Sequence, residues 1–186
     1  MASEAAAAPA EASAKKEPDW MQSIAGQIRF LSTGDRAGLR RMDLTRSHAA
    51  DGTVIKLLMR AKVPQQAQDT GFDRWRLVTH VAAILSGTGA TQAHAEGRRL
   101  GSALREADYS ENRLLRLLAV RGEALDDQVR RVARVLAQKG KHPINLWTLY
   151  HLVGSDAAKA EAARIRIAQD YYAAAARSEE GTSSDA

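Results

Sequence analysis

Apolar side chains recur three or four positions apart along most of the chain, with polar residues between them, which is the spacing of helices that each bury one face. Trp20, Ile24, Ile28 and Leu31 open the series on a first helix that begins near Pro18 and stops around "STGD". "DRAGLRRMD" follows as a short helix with Asp35 at its cap, then "TVIKLLMRA", ended by Pro64. In "GFDRWRLVTHVAAILSG" the inward positions are Trp75, Val78, Val81, Ala82 and Leu85. The period then lapses in the glycine-studded "SGTGATQAHAEGRR", which reads as a linker.

Beyond it the spacing resumes in "LGSALREA" and in "SENRLLRLLAVRG", with Ser110 as cap and Gly122 as stop. Next come "ALDDQVRRVARVLAQKGK", the almost wholly apolar "INLWTLYHLVG", and an alanine-rich helix, "SDAAKAEAARIRIAQDYYAAAAR", capped by Ser155 or Asp156. No stretch sustains the alternation of a strand. The expected fold is all-α, with eight to nine helices in two small lobes, 18–87 and 99–177, joined by the linker 88–98. Residues 1–17 and 178–186 carry almost no bulky apolar side chains and read as disordered tails.

Charge sharpens this picture. The formal net charge is +5, yet the tails are acidic, and between Trp20 and Arg177 there are 25 basic against 15 acidic side chains. Of the 27 basic residues in the chain, 20 are arginine, whose planar fork matches phosphate oxygens better than the lysine ammonium does. An acidic partner, nucleic acid above others, is the expectation. Cysteine is absent, which excludes disulfides, thiol catalysis and thiolate metal sites and fits a cytoplasmic protein. No apolar run approaches the length of a membrane span, and the N-terminal stretch, without an uninterrupted apolar segment after a basic start, does not read as a secretory signal.

Other chemistry is weakly supported. His48, His80, His94, His142 and His151 are scattered without a His-Glu-x-x-His pair, so no metal site is expected. "GTG" at 87–89 lacks the third glycine of a dinucleotide loop, and "KGK" at 139–141 lacks the upstream glycine and following hydroxyl of a phosphate loop. Asp126 and Asp127 stand at a helix start, where the dipole favours them without catalysis. Neither a catalytic residue nor a cofactor is expected.

What remains is a set of arginines, adjacent or one turn apart, on successive helices: Arg40 and Arg41; Arg98 and Arg99; Arg113 and Arg116; Arg130, Arg131 and Arg134. Several phosphate contacts acting together gain from counterion release, so repetition across helices favours a polyanion site over a merely solvated face. A helix-turn-helix regulator is the alternative, since "ENRLLRLLAVRGEALDDQVRRVARVLAQ" is two helices around a tight turn. Its second helix, however, opens with Glu123, Asp126 and Asp127, which would repel phosphates where bases must be read. A protein-binding scaffold is a third reading, resting on "INLWTLYHLV" as an interface.

"GDRAGLRR" at 34–41, "LGSALREADYSENRLLRLLAVRGEALDDQVRRVARVLA" at 100–137 and "INLWTLYHLV" at 144–153 resemble, in that order, the CasB family, the small subunit of the type I-E CRISPR Cascade complex. The likeness runs from about Trp20 to Tyr172. It implies an all-helical, two-lobed, non-catalytic subunit present as a head-to-tail pair beside the backbone and large subunits of the complex. It further implies a basic surface near guide RNA paired to target DNA that helps hold the displaced strand and so stabilises the R-loop. By motif position, Arg40, Arg41, Arg130 and Arg131 carry that role, with Arg113 next. Asn112 departs from the pattern, standing where other members can carry a second base.

Overall fold

A computed structural model of the chain describes residues 19–46, 48–87 and 91–183. Within them the helices are α1 (Trp20–Ile28), α2 (Thr33–Arg40), α3 (Asp51–Arg60), α4 (Gln65–Asp69), α5 (Phe72–Leu85), α6 (Leu100–Glu106), α7 (Glu111–Ala119), α8 (Glu123–Gln138), α9 (Leu146–Leu152) and α10 (Ala157–Ser183). Among the described residues there is no strand, only one isolated parallel bridge between His94 and Ile144. The all-α expectation holds, with ten helices among the described residues rather than eight or nine.

The helix starts follow local side-chain chemistry. Asp19 caps α1 by accepting the Gln22 N–H at 3.1 Å. On α2 the cap is Ser32 and not Asp35: the Ser32 hydroxyl accepts the Asp35 N–H at 3.0 Å and donates to the Asp35 carboxylate at 2.8 Å. Gly122 does not end α7, which stops at Ala119. It stands instead at the start of α8 with φ +59°, a conformation that favours a residue without a side chain. At α10 it is Asp156 that caps, accepting the Lys159 N–H at 3.1 Å.

Helix α4, five residues long and too short to show a period, was not anticipated. Its Ala67 carbonyl accepts the Trp75 indole N–H at 3.0 Å, which fixes that large ring in the core. Helix α5 is buried almost without interruption from Trp75 to Leu85 and packs against α2, α8 and α9. One contiguous core therefore runs from Met21 through α5 to Tyr171. Helix α6 lies along α10 at very short range, made possible by Gly101.

The segment read as a linker is tied down where it is described. Ala93 and His94 are fully buried, Ala95 N–H donates to the Ile144 carbonyl, and the Ile144 N–H donates to the Ala93 carbonyl, both at 3.1 Å. Asn145 adds a backbone bond to the Arg98 carbonyl at 2.7 Å and a side-chain bond to the Glu96 carbonyl at 2.9 Å. A buried crossing segment must pair its backbone polar groups, and here the connection between α8 and α9 supplies the partners. Residues 88–90 and the N-terminal stretch 1–17 lie outside the described residues. Helix α10 continues to Ser183, into the stretch 178–186 that the composition marks as a tail.

Candidate nucleic-acid interface

Helix α8 buries Leu125, Val129, Val132, Ala133 and Leu136, and this fixes which of its arginines meet solvent. Arg131 and Arg134 stand on the exposed ridge, while Arg130 is half-buried on its flank and paired with Asp127 one turn earlier. Helix α7 buries Leu114 and Leu117, leaving Arg113 and Arg116 exposed.

Helices α7 and α8 pack against each other, and the charges of both bear on Tyr109, just before α7. Its phenol is buried, which pushes its pKa above the usual value, and the opposing pull comes from Arg113, Arg116 and Arg131. Three guanidinium groups from two helices thus act on one hydroxyl. Its place is fixed from below, because the Tyr171 hydroxyl on α10 donates to the Tyr109 carbonyl at 2.6 Å.

On the other flank, Arg130 and Arg134 act on His80 of α5. Burial and these two charges hold the His80 pKa below the usual histidine value. Its Nδ1 lies 2.7 Å from the Leu39 carbonyl, which can only accept, so Nδ1 carries the proton of a neutral ring. Leu39 precedes Arg40 on α2. Arg40 is half-buried and donates to the Gly87 carbonyl at 3.0 Å, and exposed Arg41 reaches back to the Ala37 carbonyl at 3.3 Å.

Arg98 and Arg99 stand differently. The Arg98 fork closes on both oxygens of Glu106, with the Nη1 bond at 3.0 Å, and Lys141 lies 3.9 Å from the same carboxylate. Arg99 is bound at 3.0 Å to Asp170, whose side chain is only 9% exposed. Both are engaged by carboxylates, although the Arg99 side chain remains 70% exposed. Among the described residues, Arg40, Arg41, Arg113, Arg116, Arg131 and Arg134 form no ion pair.

The ridge has an acidic border. Asp126 is half-buried at the start of α8, and burial together with Asp127, Asp73 and Glu123 pushes its carboxyl above the usual range despite Arg130. Buried Arg76, by contrast, belongs to the scaffold: it donates to the Asp51 carboxylate at 2.8 Å and to the carbonyls of Asp43, Leu44 and Arg46. Sequence reasoning missed Tyr109 as the meeting point of the arginines, and only the contact between α7 and α8 reveals it. Among the described residues no group of three His, Cys, Asp or Glu side chains is placed to hold a metal ion, and no helix is long and apolar enough to cross a membrane.

Comparison with known proteins agrees with this architecture. The crystal structure of CasB from Thermobifida fusca is similar over 82% of this chain and 97% of that one, at 16% identity and a TM-score of 0.52, a likeness of fold. No curated protein matches the sequence. Residues 35–172, which hold α2 through most of α10, match the family model for CRISPR-associated protein Cse2. The chain belongs to the Cse2 family, the CasB-type small subunit of the type I-E CRISPR Cascade complex.

Proposed function

We propose that this subunit performs no chemistry of its own and holds phosphate backbone along the ridge formed by α7 and α8, stabilising the R-loop during antiviral defence in the cytoplasm. The observation that carries this reading is that α7 and α8 pack together and expose Arg113, Arg116, Arg131 and Arg134, none of the four tied to a carboxylate among the described residues, with the charges of the first three all bearing on Tyr109. A line of unpaired guanidinium groups suits a line of phosphates and reads little sequence, which is all that is required when a guide RNA already supplies the pairing. R-loop formation exchanges duplexes of similar stability, so a few backbone contacts tip it. The ligands are target DNA, its displaced strand above all, beside the guide RNA.

The same reading gives Arg40, Arg41 and Arg130 supporting roles at the α2 flank, and leaves Arg98 and Arg99, which stand off α7 and α8 and are each paired with a carboxylate, outside the ridge. A second copy in head-to-tail contact, and the backbone and large subunits of the complex, have exposed apolar side chains available to them. Phe30, Ile55 and Met59 are exposed on one half of the chain and Leu115, Ile165 and Tyr172 on the other. A helix-turn-helix regulator is disfavoured by the carboxylates of Glu123, Asp126 and Asp127 at the start of α8.

The test is a reconstituted complex carrying R113E, R116E, R131E and R134E, probed for nuclease protection of the displaced strand. Assembly with loss of protection is expected; full protection would refute the role of the ridge.

A further inference from the structure

Apart from the arginine ridge, α9 and the first half of α10 enclose a cleft of about 380 Å3, within the range of small-ligand sites. Glu96, Trp147, Thr148, His151, Lys159 and Arg166 line it. Trp147 and His151 are one helical turn apart on α9, and their rings lie nearly parallel, at 23° with centroids 6.0 Å apart. The pair is held from behind. Trp147 meets Tyr150 edge-on at 5.5 Å and Trp75 at 6.2 Å, and its indole N–H donates to the Asp19 carboxylate at 3.2 Å. An aromatic surface fixed in this way loses little freedom when something stacks on it.

Asn145, also in the lining, uses its amide on the Glu96 carbonyl and the Trp147 N–H, but several other polar groups of the cleft are unused. Among the described residues the Glu96 carboxylate, the Thr148 hydroxyl and the Arg166 guanidinium make no hydrogen bond or ion pair. Lys159, two-thirds exposed, has only a 3.4 Å contact with Asp156. His151 is kept below its usual pKa by burial and by the charges of Lys159 and Arg74, so it presents a neutral ring. Aromatic rings beside cations, with free hydrogen-bonding groups at the edge, are what an unpaired base requires: a face to stack on, an edge to pair with and charge for its flanking phosphates. A duplex cannot use such a site, because its bases already stack on one another.

We propose that this cleft receives an unpaired nucleobase of a single strand, stacked against the Trp147 and His151 rings, with Thr148 and Glu96 at its polar edge and Lys159 and Arg166 at the adjacent phosphates. Facing the C4 position of a pyrimidine, the Glu96 carboxylate accepts from the cytosine amine and repels the thymine carbonyl, which favours cytosine over thymine. The inference rests on the nucleic-acid reading above and adds base contact to what is there phosphate contact alone.

The test compares, for the full chain, binding of three labelled single strands of equal length and charge: oligodeoxycytidine, oligothymidine and an abasic deoxyribose phosphate strand. Oligodeoxycytidine is expected to bind about tenfold tighter than the abasic strand, the order of one base–aromatic stack. Because Trp147 also belongs to the buried aromatic cluster, the variants are H151A, which should reduce that ratio, and E96A, which should abolish the preference of cytosine over thymine. Equal binding of all three strands would overturn the base site and leave the phosphate ridge standing. Failure of all three to bind would overturn both, and an unchanged ratio in H151A would overturn the role of the ring pair.

Discussion

Gly101 on α6 and Ile167 on α10 approach so closely that a Cβ added to Gly101 would lie 2.1 Å from the Ile167 carbonyl oxygen and 2.7 Å from the Tyr171 nitrogen. Backbone atoms cannot step aside as the end of a side chain can. G101A should therefore force the helices apart and cost about 3 kcal/mol or more, the upper range for overpacking, read from urea unfolding. Tyr171 holds Tyr109 in place, so the variant should also weaken nucleic-acid binding, whereas G97A on the open surface should change neither.

Arg76 gathers the loop before α3 by donating to the carbonyls of Asp43, Leu44 and Arg46 while pairing with Asp51. Its side chain is 6% exposed, so removing it strands the Asp51 carboxylate and three part-buried carbonyls. R76M is expected to lose roughly 3 to 5 kcal/mol of stability, the range for breaking a buried pair by deleting one partner. R76K, with a compact ammonium in place of the fork, should recover only part of that. Denaturant titration of both variants measures the difference.

His80 contributes to the pH dependence of stability, in the same direction as His94 and His151, which burial also holds below the usual histidine value. Its folded-state pKa lies below the usual 6.5, so the unfolded chain binds the proton more readily as pH falls. The stabilisation is complete above the unfolded value and is lost as pH drops below it. Melting temperature should therefore decline between about pH 7 and about pH 5, through the unfolded histidine value. In H80N, which keeps a donor for the Leu39 carbonyl without a titrating ring, the decline should be shallower.

Arg98 and Arg99 provide the control for charge. Each is held by a carboxylate on a neighbouring element, so replacing both by glutamine should leave nucleic-acid affinity within experimental error. For the partly exposed Arg98 pair the stability cost should be about 1 kcal/mol or less. A marked loss of affinity would return these two residues to the binding surface.

The helical faces were legible in the sequence because burial repeats with the helix period: Leu125, Val129, Val132 and Leu136 all proved to be core. The Ser32 cap was not, since Ser32 and Asp35 are both good cap residues and the choice depends on which side chain meets which N–H. Nor was the tethering of the segment 93–98, whose partners lie about fifty residues further along the chain. The arginines on α7 and α8 were legible as charge on exposed faces. The neutralisation of Arg99 was not, because Asp170 is 71 positions away and reaches it only through the packing of α6 on α10.

Salt dependence tests the central claim most directly. For the complex, the slope of log affinity against log salt should fall by roughly 0.7 to 0.9 for each phosphate contact removed, comparing wild type with R113E, R116E, R131E and R134E singly and together. A stepwise flattening in variants that still fold and assemble is the expected result. An unchanged slope in the fourfold variant would contradict the account.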